Sequence, residues 1–350
     1  MENQLDFNYT EQVKNIDSIK LDNLSIEEIK KLGFPYLRYP EEMLLSEFIN
    51  LKNKDINTIL DNNFIKTSKS YTKLASQFFP HMFNTRVVGM KTPIEAWNSD
   101  KLLQRAVDIC RKYSKNPTIS TLRSKLMIVS GTQCVSNFRP DVAKLIYNKF
   151  GNNGKIFDFS MGYGGRLVGF LASNCQEYVG VDVNTLNFDG YNSINSLYNK
   201  ENKITRFVKC PAEDFCEYTD YFDLAFSSPP YFCKEQYSKD ENQSCNKYKQ
   251  YDSWRDNFLC KVIFNNYKML KPNRYFVINI ADINLGSKKY PLVNDTIELS
   301  IKNGFELDST LEYSLKKTIG TRASFTDKVC DYKKEPVLIF KKNIDKNNIN

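Results

Sequence analysis

The sequence predicts an open, mostly parallel seven-stranded α/β sheet with helices on both faces, preceded by a mainly helical N-terminal region. Three observations predict it. From residue 155 onward, short apolar segments alternate with helical stretches, as strand–helix–strand units do. A glycine-rich turn follows the first apolar segment, and an aspartate closes the second. Both sit where parallel sheets gather ligands, at the carboxyl ends of their strands.

In chain order, residues 25–33 carry a serine start, an apolar spacing and a glycine stop, which predict a short helix. A second helix is predicted at 40–50, with Glu41 and Glu42 in its first turn, and others at 94–113 and 119–130. Pro140 opens a further helix that puts Val142, Leu145, Ile146 and Phe150 on one face. The predicted strands are Lys155–Phe159, Tyr178–Asp182, Ile204–Lys209, Phe222–Ser227, Arg274–Ile280, Phe305–Tyr313 and Pro336–Lys341. The expected organisation is a helical region over 1–130, a catalytic domain over 131–342 and a frayed tail over 343–350.

A chain of 350 residues can bury a sizeable core without disulfides or metals. Apolar residues are 41% and charged residues 26%, which excludes a disordered chain. No uncharged apolar run reaches the ~18–20 residues of a membrane span. The start Met1–Asp6 has neither a basic nor an apolar signal region. A soluble cytoplasmic protein is expected, without membrane contact. The nine cysteines are scattered and His81 is the single histidine, so no metal site is expected. His81 lies in an aromatic stretch with Phe78, Phe79 and Phe83, and is expected to be packed or on the surface rather than catalytic. The net charge of +8 is uneven: residues 91–150 hold eleven Lys and Arg against four Asp and Glu. That block fits either a polyanion partner or a solvated helical face.

Three motifs carry chemistry. Asp158-Phe159-Ser160-Met161-Gly162-Tyr163-Gly164 follows a strand and opens a helix. Glycines there let a ligand approach the backbone, and the missing Gly-Lys-Ser/Thr ending excludes a phosphate-binding P-loop. Asp182, eighteen residues after Gly164, is placed to accept from ribose hydroxyls or to cap the strand end. These two features suit a dinucleotide or S-adenosylmethionine alike. Ser228-Pro229-Pro230-Tyr231 separates them. Its prolines supply no N–H, Ser228 offers a hydroxyl and Tyr231 a flat ring, which together suit a planar amino group.

With this third motif the chain resembles the DNA amino-methyltransferases, which methylate adenine N6 or cytosine N4. Ser228–Tyr231 matches their Asp/Asn/Ser-Pro-Pro-Tyr/Phe motif in full. The glycine motif departs from their Asp-Pro-Phe-x-Gly-x-Gly at the Pro-Phe pair. Tyr251–Trp254, Met269–Asn273, Asn279–Asp282 and Lys334–Lys341 are similar to the family's later segments, and the resemblance covers roughly 137–341. It implies the Rossmann-like fold of class I methyltransferases and S-adenosylmethionine as cofactor. The implied cofactor residues are Arg139 and Pro140 beside the methionine part, then Asp158, Ser160, Gly162 and Gly164. Asp182 and Asn184 follow at the ribose, and Ala212 and Glu213 near the adenine. The implied catalytic residues are Ser228, Pro229, Pro230 and Tyr231. The partner implied is duplex DNA with a flipped base, and RNA is an alternative. Serine at the first catalytic position resembles the cytosine-N4 group. Carbon-5 methylation is excluded because no Pro-Cys pair exists. Candidate phosphate contacts are Lys101, Arg105, Arg111, Lys112, Lys115, Arg123 and Lys125. The insert 232–249 is expected to order over the substrate. The resemblance also implies a prokaryotic or phage source and a restriction–modification setting. Rival readings are a protein-glutamine methyltransferase, an inactive nucleic-acid-binding relative and a nicotinamide dehydrogenase; the Pro-Pro-Tyr turn is unexplained by the last.

Overall fold

The computed structural model describes residues 16–66, 71–315 and 333–343. The expected frayed tail falls outside them beyond Asn343. The chain forms two compact units, Met1–Tyr36 with Gly89–Cys134, and Leu37–Val88 with Val135–Asn350. This corrects the expected boundary near 130. Residues 37–88 join the larger unit because they add two strands to its sheet and pack Phe79 against Gly164 and Gly190.

The smaller unit holds helices Ile26–Lys31, Pro93–Asn98, Asp100–Tyr113 and Ile119–Leu126. Capping boxes start three of them, at Ser25 with Glu28, Thr92 with Glu95 and Thr118 with Thr121. The single helix predicted over 94–113 is two. The polar run Asn98-Ser99-Asp100 favours caps over helix interior, and Ser99 is extended at φ −93° and ψ 110°. Leu102, Leu103, Ala106, Val107 and Cys110 form the buried stripe of Asp100–Tyr113 and meet Leu122, Leu126 and Trp97 in one core.

The larger unit is built on nine strands: β1 Leu60–Asp61, β2 Phe64–Ile65, β3 Lys155–Asp158, β4 Glu177–Asp182, β5 Ile204–Lys209, β6 Phe222–Ser227, β7 Leu270–Asn279, β8 Phe305–Leu315 and β9 Lys333–Lys342. Their order is β1-β2-β8-β9-β7-β6-β3-β4-β5. All seven predicted strands are present. The additional pair is the β1–β2 hairpin, laid parallel on β8 at Phe64↔Glu312 and Ile65↔Tyr313. Two-residue strands are too short for alternation to reveal. The pairs β3–β4, β4–β5, β3–β6 and β6–β7 are parallel, while β9 is antiparallel to both β7 and β8. The strand order reverses between β3 and β6, the usual place for a ligand crevice.

Central parallel strands are covered on both faces, so apolar residues point to both sides of them rather than alternating with polar ones. Every residue of β6 is buried. On one face Phe157, Phe159, Ala225, Phe276 and Ile278 meet Trp254, Phe258, Val262 and Ile263. On the other, Tyr147 packs on Phe226 and Phe170 on Tyr178, which seats helices Pro140–Phe150 and Gly165–Leu171. Gly169 permits those two helices to touch, since a Cβ there would stand 2.5 Å from that of Ala143.

Arg123 is buried in the smaller unit. Its guanidinium grips Asp17 at 2.7 and 3.0 Å and donates to the Pro35 carbonyl. Arg123→Ala should therefore cost about 3 kcal/mol of stability, because it strands a partly buried carboxylate. Lys112→Ala should stay within about 0.5 kcal/mol, as an exposed substitution does. Denaturant unfolding of both variants checks the contrast.

Candidate active site

The site grows from the end of β3. Asp158 is wholly buried and accepts four hydrogen bonds. Its Oδ1 takes the Ser160 amide at 3.2 Å and Ser227 Oγ at 2.8 Å. Its Oδ2 takes Arg166 Nε at 2.9 Å and the Tyr178 hydroxyl at 2.7 Å. Arg166 is buried too, donates to the Ser160 carbonyl, and lies over the Phe138 ring at 5.5 Å. Burial works against the guanidinium charge, but Asp158 beside it raises its pKa on balance. Asp158 was expected against the cofactor. It has no exposed surface, and the structure makes it the anchor beneath the glycine loop instead.

The glycines divide. Gly164 has φ +71°, and a Cβ on it would meet Ile194 at 2.6 Å and Phe79 at 3.0 Å, so packing requires it. Gly162 has φ +58°, and a Cβ there would find only the Ser160 carbonyl, at 3.9 Å. Its free side faces open space. Asp182, at the end of β4, accepts from the Gly162 amide at 2.9 Å, the Asn184 amide at 2.8 Å and the Tyr191 hydroxyl at 3.0 Å. Burial raises the Asp182 pKa against the pull of these donors. Asp182 thus shapes the loop through Gly162. Asn184 is buried, and its Oδ1 caps the Leu186 amide at 3.2 Å. Its Nδ2 is buried without a hydrogen-bond partner, which a native interior rarely tolerates. Open space at Gly162 and an orphaned donor at Asn184 fit an S-adenosyl group at this loop. Gly162, Asn184 and Ser160 are the residues that would hold it, with Asp182 setting the backbone they present.

The Ser-Pro-Pro-Tyr turn adjoins the same loop. Ser227 Oγ also reaches the Ser160 carbonyl at 3.3 Å, so the last residue of β6 is tied to the glycine turn from both sides. Ser228, half-buried, follows directly, its Oγ 3.4 Å from the Tyr231 hydroxyl. The turn then closes on itself. The Phe232 amide donates to the Pro230 carbonyl at 3.0 Å and the Lys234 amide to the Tyr231 carbonyl at 3.2 Å. Phe232 takes φ +51° here. The Lys234 ammonium lies 5.6 Å from the centre of the Tyr231 ring.

Sequence and structure meet over this turn. Residues 222–350 match the DNA methylase family of N6 and N4 methyltransferases. No curated protein matches the chain. Among solved structures, a TehB-like S-adenosylmethionine-dependent methyltransferase from Corynebacterium glutamicum is 18% identical, with 57% of this chain and 86% of that one covered, at a TM-score of 0.36. A Burkholderia thailandensis 1,6-didemethyltoxoflavin-N1-methyltransferase with bound S-adenosylhomocysteine is 13% identical, covering 59% and 78%, at 0.39. The protein is a methyltransferase with S-adenosylmethionine as its cofactor.

The remaining predicted site residues are placed less directly. Arg139 is buried and pairs with Asp141 at 2.8 and 3.2 Å, while its guanidinium lies 5.8 Å from the Tyr313 ring centre. Pro140 opens the helix at its first position. Both are packing residues here. Ala212 is buried, and the Glu213 carboxylate takes Lys247 at 2.9 Å and the Tyr248 hydroxyl at 3.1 Å. Glu213 therefore anchors the insert 232–249 rather than standing free toward an adenine. The insert is ordered at its other end too, where Glu235–Gln236 pairs with Arg86–Val87. In the smaller unit, Lys101, Arg105, Lys112 and Lys115 are exposed and Lys125 is half-buried. Arg111 and Arg123 are corrected. Arg111 donates to the Leu21 and Leu24 carbonyls, and Arg123 to Asp17, so neither guanidinium is presented to a phosphate.

Sequence reading missed the segment that braces the loop from above. Thr85 Oγ1 lies 2.5 Å from the Tyr163 hydroxyl, and Asn137 donates to the Tyr163 carbonyl at 2.6 Å. His81 Nε2 lies 2.7 Å from Asn187 Oδ1. The one available signal was the aromatic density of Phe78–Phe83. His81 is packed, as expected, and among the described residues no cluster could hold a metal ion. No described helix is long and apolar enough to cross a membrane.

Gly162→Ala should weaken S-adenosylmethionine binding in a calorimetric titration while costing about 1–2 kcal/mol of stability for the left-handed backbone. Gly164→Ala should lower the melting temperature further, because it adds the clash with Ile194 and Phe79 to the same backbone cost. Burial holds the His81 pKa below its usual 6.5, against the hydrogen bond with Asn187. The folded state then resists the proton that the unfolded chain accepts, so His81 lowers stability as pH falls below 6.5. The lone histidine resonance should titrate below that value in NMR, and His81→Gln should flatten this part of the stability profile.

Proposed function

We propose that the protein methylates the exocyclic amino group of a base in duplex DNA, cytosine N4 ahead of adenine N6, with the base flipped out of the helix. The observation that carries this reading is the position of Ser228 and Tyr231. They stand beyond the carboxyl end of β6, one and four residues after the Ser227 that is bonded to Asp158 and to the Ser160 carbonyl. An amino group held at that corner lies beside the cofactor loop.

The cofactor supplies an electrophilic methyl group on a sulfonium. The chain supplies position. The Pro230 and Tyr231 carbonyls are taken up inside the turn. The Ser228 hydroxyl and the Pro229 carbonyl are the acceptors offered to the two amino hydrogens. Accepting both would aim the nitrogen lone pair along the line of transfer, where orientation alone can supply much of the rate. Tyr231 offers its ring to the flipped base, because chemistry on a stacked base is blocked. Serine at the first position favours cytosine. Burial keeps the Tyr231 phenol protonated far above neutral pH, with Glu335 acting in the same direction, so the ring is uncharged when a base meets it.

DNA as the partner is supported by the smaller unit. On helix Asp100–Tyr113, Lys101, Arg105 and Lys112 are exposed and lie within about 40° of one another around the axis. Asp108, bonded by Gln104, interrupts this stripe. Such contacts would strengthen phosphate binding without reading sequence.

The test is methyl-labelled S-adenosylmethionine incubated with duplex DNA, RNA or protein, followed by digestion to single units. Label in N4-methylcytosine supports the reading, and label in N6-methyladenine moves the target within it. Label only in RNA or in a protein amide overturns it. Tyr231→Ala should lower turnover by about 10- to 100-fold, the worth of one base–aromatic stack, and leave cofactor affinity unchanged.

A further inference from the structure

The Tyr231 hydroxyl lies near four polar atoms. They are Ser228 Oγ at 3.4 Å, the Asn279 carbonyl at 3.3 Å, Asn279 Oδ1 at 3.5 Å and Glu335 Oε2 at 3.3 Å. These are long bonds, of the kind that tighten once a substrate closes the site. Three of the four partners only accept. The Asn279 amide is turned so that its Nδ2 donates to the Pro336 carbonyl at 3.0 Å, which presents Oδ1 to the phenol. Glu335 is buried on β9 and brings an acceptor-only carboxylate. A phenol has one proton, and here it must point at this acceptor group. Its lone pair is then left for the one neighbour that can donate, Ser228.

We infer that Glu335, together with Asn279, is a positioning residue for methyl transfer, because it fixes the direction of the hydrogen-bond chain Ser228 Oγ–H to Tyr231 Oη–H to Glu335. The consequence falls on Ser228. A serine hydroxyl can donate or accept, and toward an amino group it is useful only as an acceptor. With its proton drawn to Tyr231, both Ser228 lone pairs face the substrate. This inference rests on the reading of Ser228 and Tyr231 as the amino-group site.

The experiment compares wild type with Glu335→Gln, Tyr231→Phe and the double variant, all in the full chain with duplex DNA and S-adenosylmethionine. Tyr231→Phe keeps the ring and removes the relay, and Glu335→Gln introduces a donor that can reverse it. Each should lower kcat by roughly fivefold to tenfold, the worth of one directed hydrogen bond. KM for DNA and cofactor affinity should stay unchanged. The double variant should be no slower than Tyr231→Phe alone, because Glu335 acts only through the phenol. Wild-type kcat in Glu335→Gln, multiplied losses in the double variant, or an equal loss of cofactor affinity would overturn the inference. If Glu335→Gln does not fold, as judged by its melting transition, Tyr231→Phe decides alone: wild-type kcat there overturns it. A wild-type protein that methylates no base would instead remove the underlying reading.

Discussion

The site depends on the bonds gathered by the Asp158 carboxylate. A buried charge is costly unless paired and fully hydrogen-bonded. Here one carboxylate is met by Arg166, Tyr178, Ser227 and a loop amide. These partners come from the helix after the glycine loop, from β4, from β6 and from the loop itself. A pair of this kind adds little net stability over an apolar replacement, yet removing one partner costs about 3–5 kcal/mol. Its worth lies in geometry. Because Ser227 and the glycine loop answer to the same carboxylate, the residue after Ser227 cannot drift from the cofactor side without breaking a buried bond.

The acids of the site show how a shared residue type divides its work. Asp158 is enclosed and holds strands together. Asp182 stands one strand further out and holds the Gly162 backbone. Glu213 fastens the insert through Lys247. Glu335 faces the phenol of the catalytic turn. Strand-end position suggested ligand contact for Asp182, and the family resemblance implied it for Asp158 and Glu213. The structure puts loop architecture ahead of ligand contact, and the open face of Gly162 with the unpaired Asn184 amide is what remains for the cofactor.

Much of the larger unit was legible because short, largely apolar runs such as Leu224–Phe226 have few other homes, and because glycine and proline mark loop ends. Helix starts with a capping box were equally plain at Ser25. What stayed hidden depends on contacts distant in sequence. The β1–β2 hairpin is too short to show a period. His81, Thr85 and Asn137 meet the glycine loop only after the chain returns to it. Arg111 and Arg123 look like their exposed neighbours until Leu21, Leu24 and Asp17 are seen beside them. Composition counts charges; only packing tells which of them face outward.

The first residue of the catalytic turn sets how much support the rest of the site must give. An aspartate or asparagine offers an acceptor oxygen with no proton on it, so its polarity toward an amino group needs no help. Serine carries a proton on the atom that must accept. On the inferred relay, that proton needs a nearby acceptor whose own proton is directed elsewhere. In this protein the phenol, the Asn279 carbonyl and the buried Glu335 meet that requirement together. In the proposed function the same phenol also offers its ring to a base. Anchoring the hydroxyl to β7 and β9 lets one side chain serve both tasks, since its edge is fixed by the sheet while its face is left to the pocket.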